Sequence, residues 1–259
     1  MKGSWGTVLV ATAFNLLFEY SMRGVNNFLV QPVLPFILFT IYFTLYTMLD
    51  DMIARYRLRD IHLMVIAFFH GTAYQFLVSG TALLPPLILG VNWLNLLFVI
   101  MVWWGVLQSV VTFYIANRIA PRDWTHKLSK KGWVVALSLN ALMILMFQSS
   151  GVIPKVNIVQ IFWMVVIMTG SAAMLKAMIS KAKGRDHHML FNRSLVLDVL
   201  CILTASIFLF CAFFLTFDPI KINTSNVNAT STAIVVRWSI ILALALLGYR
   251  LLSKKSISV

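Results

Sequence analysis

The sequence predicts an all-α integral membrane protein of about eight transmembrane helices, built as four repeated hairpins of about 63 residues. Three observations carry this. First, 60% of the residues are hydrophobic and 11% charged, against roughly 45–50% and about 25% in a soluble domain. Such a composition excludes both a water-soluble globule and a disordered chain. Second, eight apolar runs approach or reach the roughly 20 residues that a helix needs to cross a bilayer. Third, the polar turns between the runs alternate in charge and repeat two dipeptides. The whole chain, 1–259, reads as a single polytopic domain.

The runs fall at approximately 5–22, 27–49, 62–84, 92–117, 133–150, 158–179, 195–215 and 233–252, and the fifth is the shortest. The first follows a single lysine, as a signal peptide would. Its Ala11-Thr12-Ala13 comes too early for a cleavage site, so it reads as a retained span. Strands are not expected, because an open sheet leaves its edges unsatisfied in lipid. The segment Pro85 to Gly90 reads as a short re-entrant turn. Trp5, Trp93, Trp124, Trp133 and Trp238 fall near run ends, as an aromatic belt does.

Twenty-one Lys and Arg face eight acids, a net charge of +13. The basic residues cluster after the second, fourth, sixth and eighth runs, at Arg55 to Arg59, Arg118 to Lys131, Lys181 to Arg193 and Lys254-Lys255. The positive-inside rule makes those turns and both termini cytoplasmic, in the cell or inner membrane. The excess charge then points to anionic lipid on that side rather than to nucleic acid. Other membrane subunits are candidate partners. The sequence does not identify a cofactor. Cys201 and Cys211 lie in one apolar run without metal spacing.

Arg59-Asp60, Arg122-Asp123 and Arg185-Asp186 repeat on one side, with aspartates 63 residues apart. Histidines follow them at His62, His126 and His187-His188. Val-Asn stands at 25–26, 91–92, 156–157 and 227–228 on the other side. The hairpin units are about 1–60, 61–123, 124–186 and 187–259. Asn and Asp are strong helix N-caps, so these pairs read as caps. The other reading is a ring of Asp and His at the cytoplasmic mouth.

Ionisable groups inside a span are functional candidates by default. Asn15, Glu19 and Arg23 share one face of the first helix at i, i+4, i+8. Arg237 on the last helix lies at a depth similar to Glu19. An arginine is therefore expected to hold Glu19, either as a structural pair or as part of a solute or proton site. His70 and Tyr74 share a face of the third helix near mid-bilayer, as packing residues or a relay. Cytoplasmic-face candidates are Asp50, Asp51, Arg55, Arg59, Asp60, Asp123, Asp186, His187, His188 and Asp198. No metal site is expected. Lys176 and Asp198 are expected to pair.

There is no phosphate-binding P-loop, dinucleotide fingerprint or nucleophile elbow. The loop Leu49-Asp50-Asp51-Met52-Ile53-Ala54-Arg55-Tyr56-Arg57-Leu58-Arg59-Asp60 sits where membrane prenyltransferases of the UbiA type carry an Asp-rich motif. It resembles them in position, helix count and sidedness. That resemblance implies an enzyme acting on a prenyl or lipid phosphate, with a second acidic site near Asp186, His187, His188 and Asp198. Clustered carboxylates hold the diphosphate through Mg²⁺ there, whereas Arg55, Arg57 and Arg59 stand in their place here. Glu19-Tyr20-Ser21-Met22-Arg23 looks like half of the motif of intramembrane CAAX-type proteases, with Phe18 in place of the first glutamate. Neither resemblance covers more than a dozen residues. The leading expectation is a small-solute transporter, a channel-like protein or a membrane subunit of a larger complex. A cytoplasmic-face enzyme on a lipid or prenyl phosphate is the first alternative. An assembly subunit with no site of its own is the second.

Overall fold

The computed structural model describes residues 5–123, 125, 127–149, 154–182, 194–215 and 227–255, without the side chains of 180–182 and 253–255. Helix covers 82% of the described residues. The long helices are α1 (Gly6–Arg23), α2 (Leu34–Tyr56), α3 (Asp60–Leu77), α4 (Trp93–Ile119), α5 (Lys130–Ser149), α6 (Ile158–Ala182), α7 (Leu195–Phe214) and α8 (Ala229–Lys255). Six of them, α2 and α4 to α8, are long and apolar enough to cross a membrane. The chain is thus a polytopic membrane protein. At 18 residues each, α1 and α3 occupy the expected places but fall short of that standard. Asn15, Glu19 and Arg23 in α1, and Asp60, His62, His70 and Gln75 in α3, dilute their apolar character.

Two compact units divide the chain, Met1–Thr12 with Ile37–Phe191, and Ala13–Phe36 with Asn192–Val259. In the first, α3 packs on α4 and α6. Phe76, Ala82, Leu83, Val91, Leu96 and Ile100 make a small core at one end of α3, flanked by Trp93 and Trp163. Those two indoles meet edge to face at 4.9 Å. Gly71 lets α3 approach α4 closely, since a Cβ there would lie 2.9 Å from the Trp104 ring. Residues Val99–Val111 of α4 adopt the wider π-helical turn. Two side chains match it by bonding five residues back, Ser109 Oγ to the Trp104 carbonyl at 2.6 Å and Thr112 Oγ1 to that of Leu107 at 2.9 Å. Both α5 and α6 leave most of their apolar surface exposed, which suits contact with acyl chains.

The segment expected to re-enter the bilayer is instead a tight exposed turn. Ile88 and Val91 exchange backbone bonds of 2.9 and 3.1 Å. Leu89 (φ 50°) and Gly90 (φ 80°) supply the two positive φ values of a type I′ turn. Asn92 Nδ2 and Trp93 Nε1 tie it down by donating to the carbonyls of Leu84 and Ile88, each at 2.9 Å.

In the second unit, Phe208 of α7 receives Phe14 and Phe18 of α1 at 5.9 and 5.6 Å. Gly24, with φ 78°, ends α1 in the left-handed conformation that favours glycine. Trp238 of α8 donates its indole N–H to Thr204 of α7 at 3.0 Å.

Three of the four Val-Asn asparagines cap the helix that follows. The backbone N–H groups of Asn95, Gln160 and Ser231 donate to the side chains of Asn92, Asn157 and Asn228 at 3.1, 3.0 and 2.9 Å. Asn157 adds the reciprocal half, donating its own N–H to Gln160 Oε1 at 2.8 Å. Asn26 makes no such bond, because its own backbone is helical (φ −60°, ψ −20°) rather than in the extended conformation of a capping residue. Asn157→Ala is therefore expected to lower stability by about 1 kcal/mol. Asn26→Ala should cost clearly less. Denaturant unfolding of the two variants in one detergent checks the order.

The aspartates do not cap as expected. Asp60 is the first residue inside α3, where its charge meets the positive end of the helix dipole. Its neighbour Arg59 occupies the cap position and donates its N–H to His62 Nδ1 at 2.9 Å. Ser129 rather than Asp123 receives the N–H of Gly132 at the start of α5, at 3.2 Å. Asp123 lies too far upstream. Asp186, with His187 and His188, lies outside the described residues, as do Trp124 and His126.

Candidate functional site

Tyr42, Tyr46 and Asp50 recur every fourth residue along α2 and so share a face. All three are fully buried. That face meets the π-helical part of α4. Gln108 Nε2 donates to Tyr42 Oη at 3.1 Å, and Tyr46 Oη donates to the Gln108 carbonyl at 2.6 Å. Thr44, on the adjoining face, accepts a bond from Asn140 of α5 at 3.0 Å. A buried polar seam thus runs along α2 within the first unit.

Beside the seam is a cavity of about 10 Å³, lined by Leu45, Leu49, Ile66, Ala67, His70, Trp104, Gln108 and Ser109. That is about the room one water needs. His70 is the only titratable group in its wall. The imidazole stands edge-on to Trp104 at 4.9 Å. Its Nε2 is buried and has no hydrogen-bond partner among the described residues. Tyr74, one turn along α3, tilts against the same indole at 5.0 Å.

At the Tyr56 end of α2 the seam meets a network of charges. Asp50 and Asp51 are both 0% exposed. Being adjacent, they point about 100° apart around the helix and take different partners. Asp50 receives Arg122 Nε at 2.5 Å and lies 3.0 Å from Lys127 Nζ. Asp51 accepts from the backbone N–H groups of Lys127 and Leu128 at 2.9 and 3.1 Å. It also accepts from the Trp133 indole at 2.8 Å and from Arg55 Nε at 2.5 Å. Arg55 donates further to the Leu128 carbonyl. Asp123 accepts from Lys127 Nζ at 3.1 Å and from the Thr125 N–H at 3.3 Å.

The cations Arg122 and Lys127 have side chains only 2% and 3% exposed. Burial pulls the Arg122 guanidinium below the usual arginine range, and Asp50 opposes that shift. Phe113 lies 5.0 Å beneath it. Three carboxylates balance three cations, so the network is internally neutral. It pins the segment between α4 and α5 to the end of α2.

Other expected site residues are scattered. Glu19, 8% exposed, pairs with Arg23 at 3.4 Å, one turn along its own helix. The expected arginine partner is thus the local one. Arg237 is exposed on α8. Asn15 is fully buried in α1. Asp198 sits in the first turn of α7, at the favourable end of its dipole. Lys176 and Asp198 belong to different units. Among the described residues, no three His, Cys, Asp or Glu side chains gather as metal ligands do.

Arg122, Lys127 and Trp133 do not stand out in the sequence as partners of the α2 acids, nor does Gln108 as the partner of Tyr42 and Tyr46. The Tyr42, Tyr46, Asp50 spacing was the available signal. No protein-family model, curated protein or solved structure matches the chain, so function has to be argued from this geometry.

Proposed function

We propose that the chain is a small-solute transporter of the cell membrane, and that the proton is the species handled at the α2–α3–α4 seam. The observation that carries this is His70 Nε2, buried without a hydrogen-bond partner among the described residues, in the wall of a water-sized cavity beside Gln108 and Ser109. Burying a polar nitrogen unpaired is costly. A single water would satisfy it and also link it to the polar seam. Imidazole can take a proton at Nε2 and return it to such a water. Functional sites often sit on π-helical segments, and Gln108 and Ser109 lie on one.

In this reading α1 and α3 also span, giving eight crossings as four hairpins. The basic turns and both termini then face the cytoplasm. The phosphate-enzyme reading needs carboxylates free to hold Mg²⁺, whereas Asp50 and Asp51 are held by Arg122, Lys127, Arg55 and Trp133. A second reading, a membrane subunit of a larger complex, is favoured by the exposed Arg237 on α8.

The test is a pH jump across liposomes holding the purified protein and a trapped pH dye. Wild type should relax the gradient faster than empty liposomes. His70→Phe should relax it at least tenfold more slowly than wild type while remaining folded. Wild-type liposomes no faster than empty ones would refute the transport reading. Equal rates for wild type and His70→Phe would remove His70 from it.

A further inference from the structure

Helix α8 is apolar and long enough to cross a membrane over Ala229–Leu252. Arg237 lies eight residues from one end of that stretch and fifteen from the other, about 12 and 22 Å of helix. It is therefore well inside a hydrocarbon layer of about 30 Å. Its side chain is exposed, within a stripe of Thr230, Ala233, Ile241 and Leu244. The opposite face is used internally, through Val235, Ser239 and Leu242, which are buried. An arginine on the outer face of a transmembrane helix is expensive unless an anion meets it.

We infer that this face of α8 docks against a membrane-spanning helix of another protein that carries a carboxylate at the depth of Arg237. The inference rests on the membrane-subunit reading and names the chemistry of the partner. Charge complementarity is the first argument. Access is the second, since Thr230 and Ala233 on the same stripe are small, and small residues let a second helix approach closely. A second copy of this chain fits less well. Glu19, its acid within a helix at comparable depth, already holds Arg23, and Asp50 and Asp51 are enclosed in their own network. A lipid phosphate would require the guanidinium to climb more than two helical turns toward the Asn228 end.

The probe is a synthetic leucine-rich transmembrane peptide with one central aspartate, labelled for energy transfer to the labelled full-length protein in phosphatidylcholine liposomes. The aspartate peptide should associate about tenfold more tightly than its all-leucine counterpart, as expected for a buried interhelical polar contact. Arg237→Leu should abolish that difference, and Arg237→Lys should keep part of it. Equal binding of the two peptides to wild type would overturn the inference in favour of lipid phosphate. An aspartate preference that survives Arg237→Leu would overturn it too. Native-gel size in the source membrane is read alongside. A complex that persists with Arg237→Leu leaves the subunit reading standing and removes Arg237 from the interface. Wild type migrating as a single chain would defeat the subunit reading itself.

Discussion

Asp50→Ala is expected to destabilise the folded chain by about 3–5 kcal/mol, the usual consequence of removing one partner from a buried ion pair. Asp50 is 0% exposed and lies between two cations that are themselves buried. Truncation leaves Arg122 against Phe113 and removes one of the two carboxylates that Lys127 meets. Neither cation can reach water without releasing the segment that leads into α5. The double replacement Asp50→Leu with Arg122→Met should recover much of the loss, because apolar groups of similar volume leave less charge uncompensated. Denaturant unfolding followed by tryptophan fluorescence measures both, and Trp133, which donates to Asp51, reports on the same segment. A loss below about 1 kcal/mol for Asp50→Ala would mean that the network is solvated, as exposed ion pairs are.

Gly71→Ala is expected to cost about 1–3 kcal/mol through overpacking. The added methyl would lie 2.9 Å from Cγ and Cδ1 of Trp104 and 3.2 Å from its Cβ. Those atoms form the stiff base of the indole, so α3 and α4 must separate to relieve the clash. His70 and Tyr74 both rest on that ring, so the proton conductance proposed for His70 should fall along with stability. Gly170→Ala is the control. Nothing lies within 4 Å of a Cβ at that position, and there the change should be neutral or slightly stabilising by helix propensity. Equal effects at the two glycines would show that α3 and α4 do not touch as described.

The all-helical, multi-span character of the chain was legible because hydrophobicity in runs of about 20 residues is a strong signal. The long helices stand where the apolar runs stand. The asparagines of the Val-Asn turns were legible as caps for a local reason, since a short amide side chain bonds the backbone two or three residues on. Capping by the aspartates failed because charge opened other uses. Asp123 bonds Lys127 in its own loop, and Ser129, nearer to α5, takes the cap. The site was legible only in half. Asp50, Asp51, Arg55 and His70 stand out as charges or titratable groups in an apolar chain. Arg122 and Lys127, the partners of the two aspartates, lie more than 70 residues away, and tertiary pairing of that kind leaves no trace in local periodicity. Trp133 read as a belt residue because its position near a helix end fits both roles. The π-helical turn was invisible, since Val99–Val111 is uniformly apolar apart from Gly105, Gln108 and Ser109.

The proposed function requires His70 to be a hydrated, proton-exchanging group between α3 and α4. Nitrogen-15 magnetic resonance of histidine-labelled protein in lipid nanodiscs tests it most directly, with His70→Gln identifying the His70 signals among the five histidines. The His70 ring nitrogens should exchange with deuterated water within minutes and change protonation over an accessible range of pH. A His70 ring that keeps one neutral tautomer at every pH tested, and holds its proton for hours against deuterated buffer, would rule out a proton role for His70.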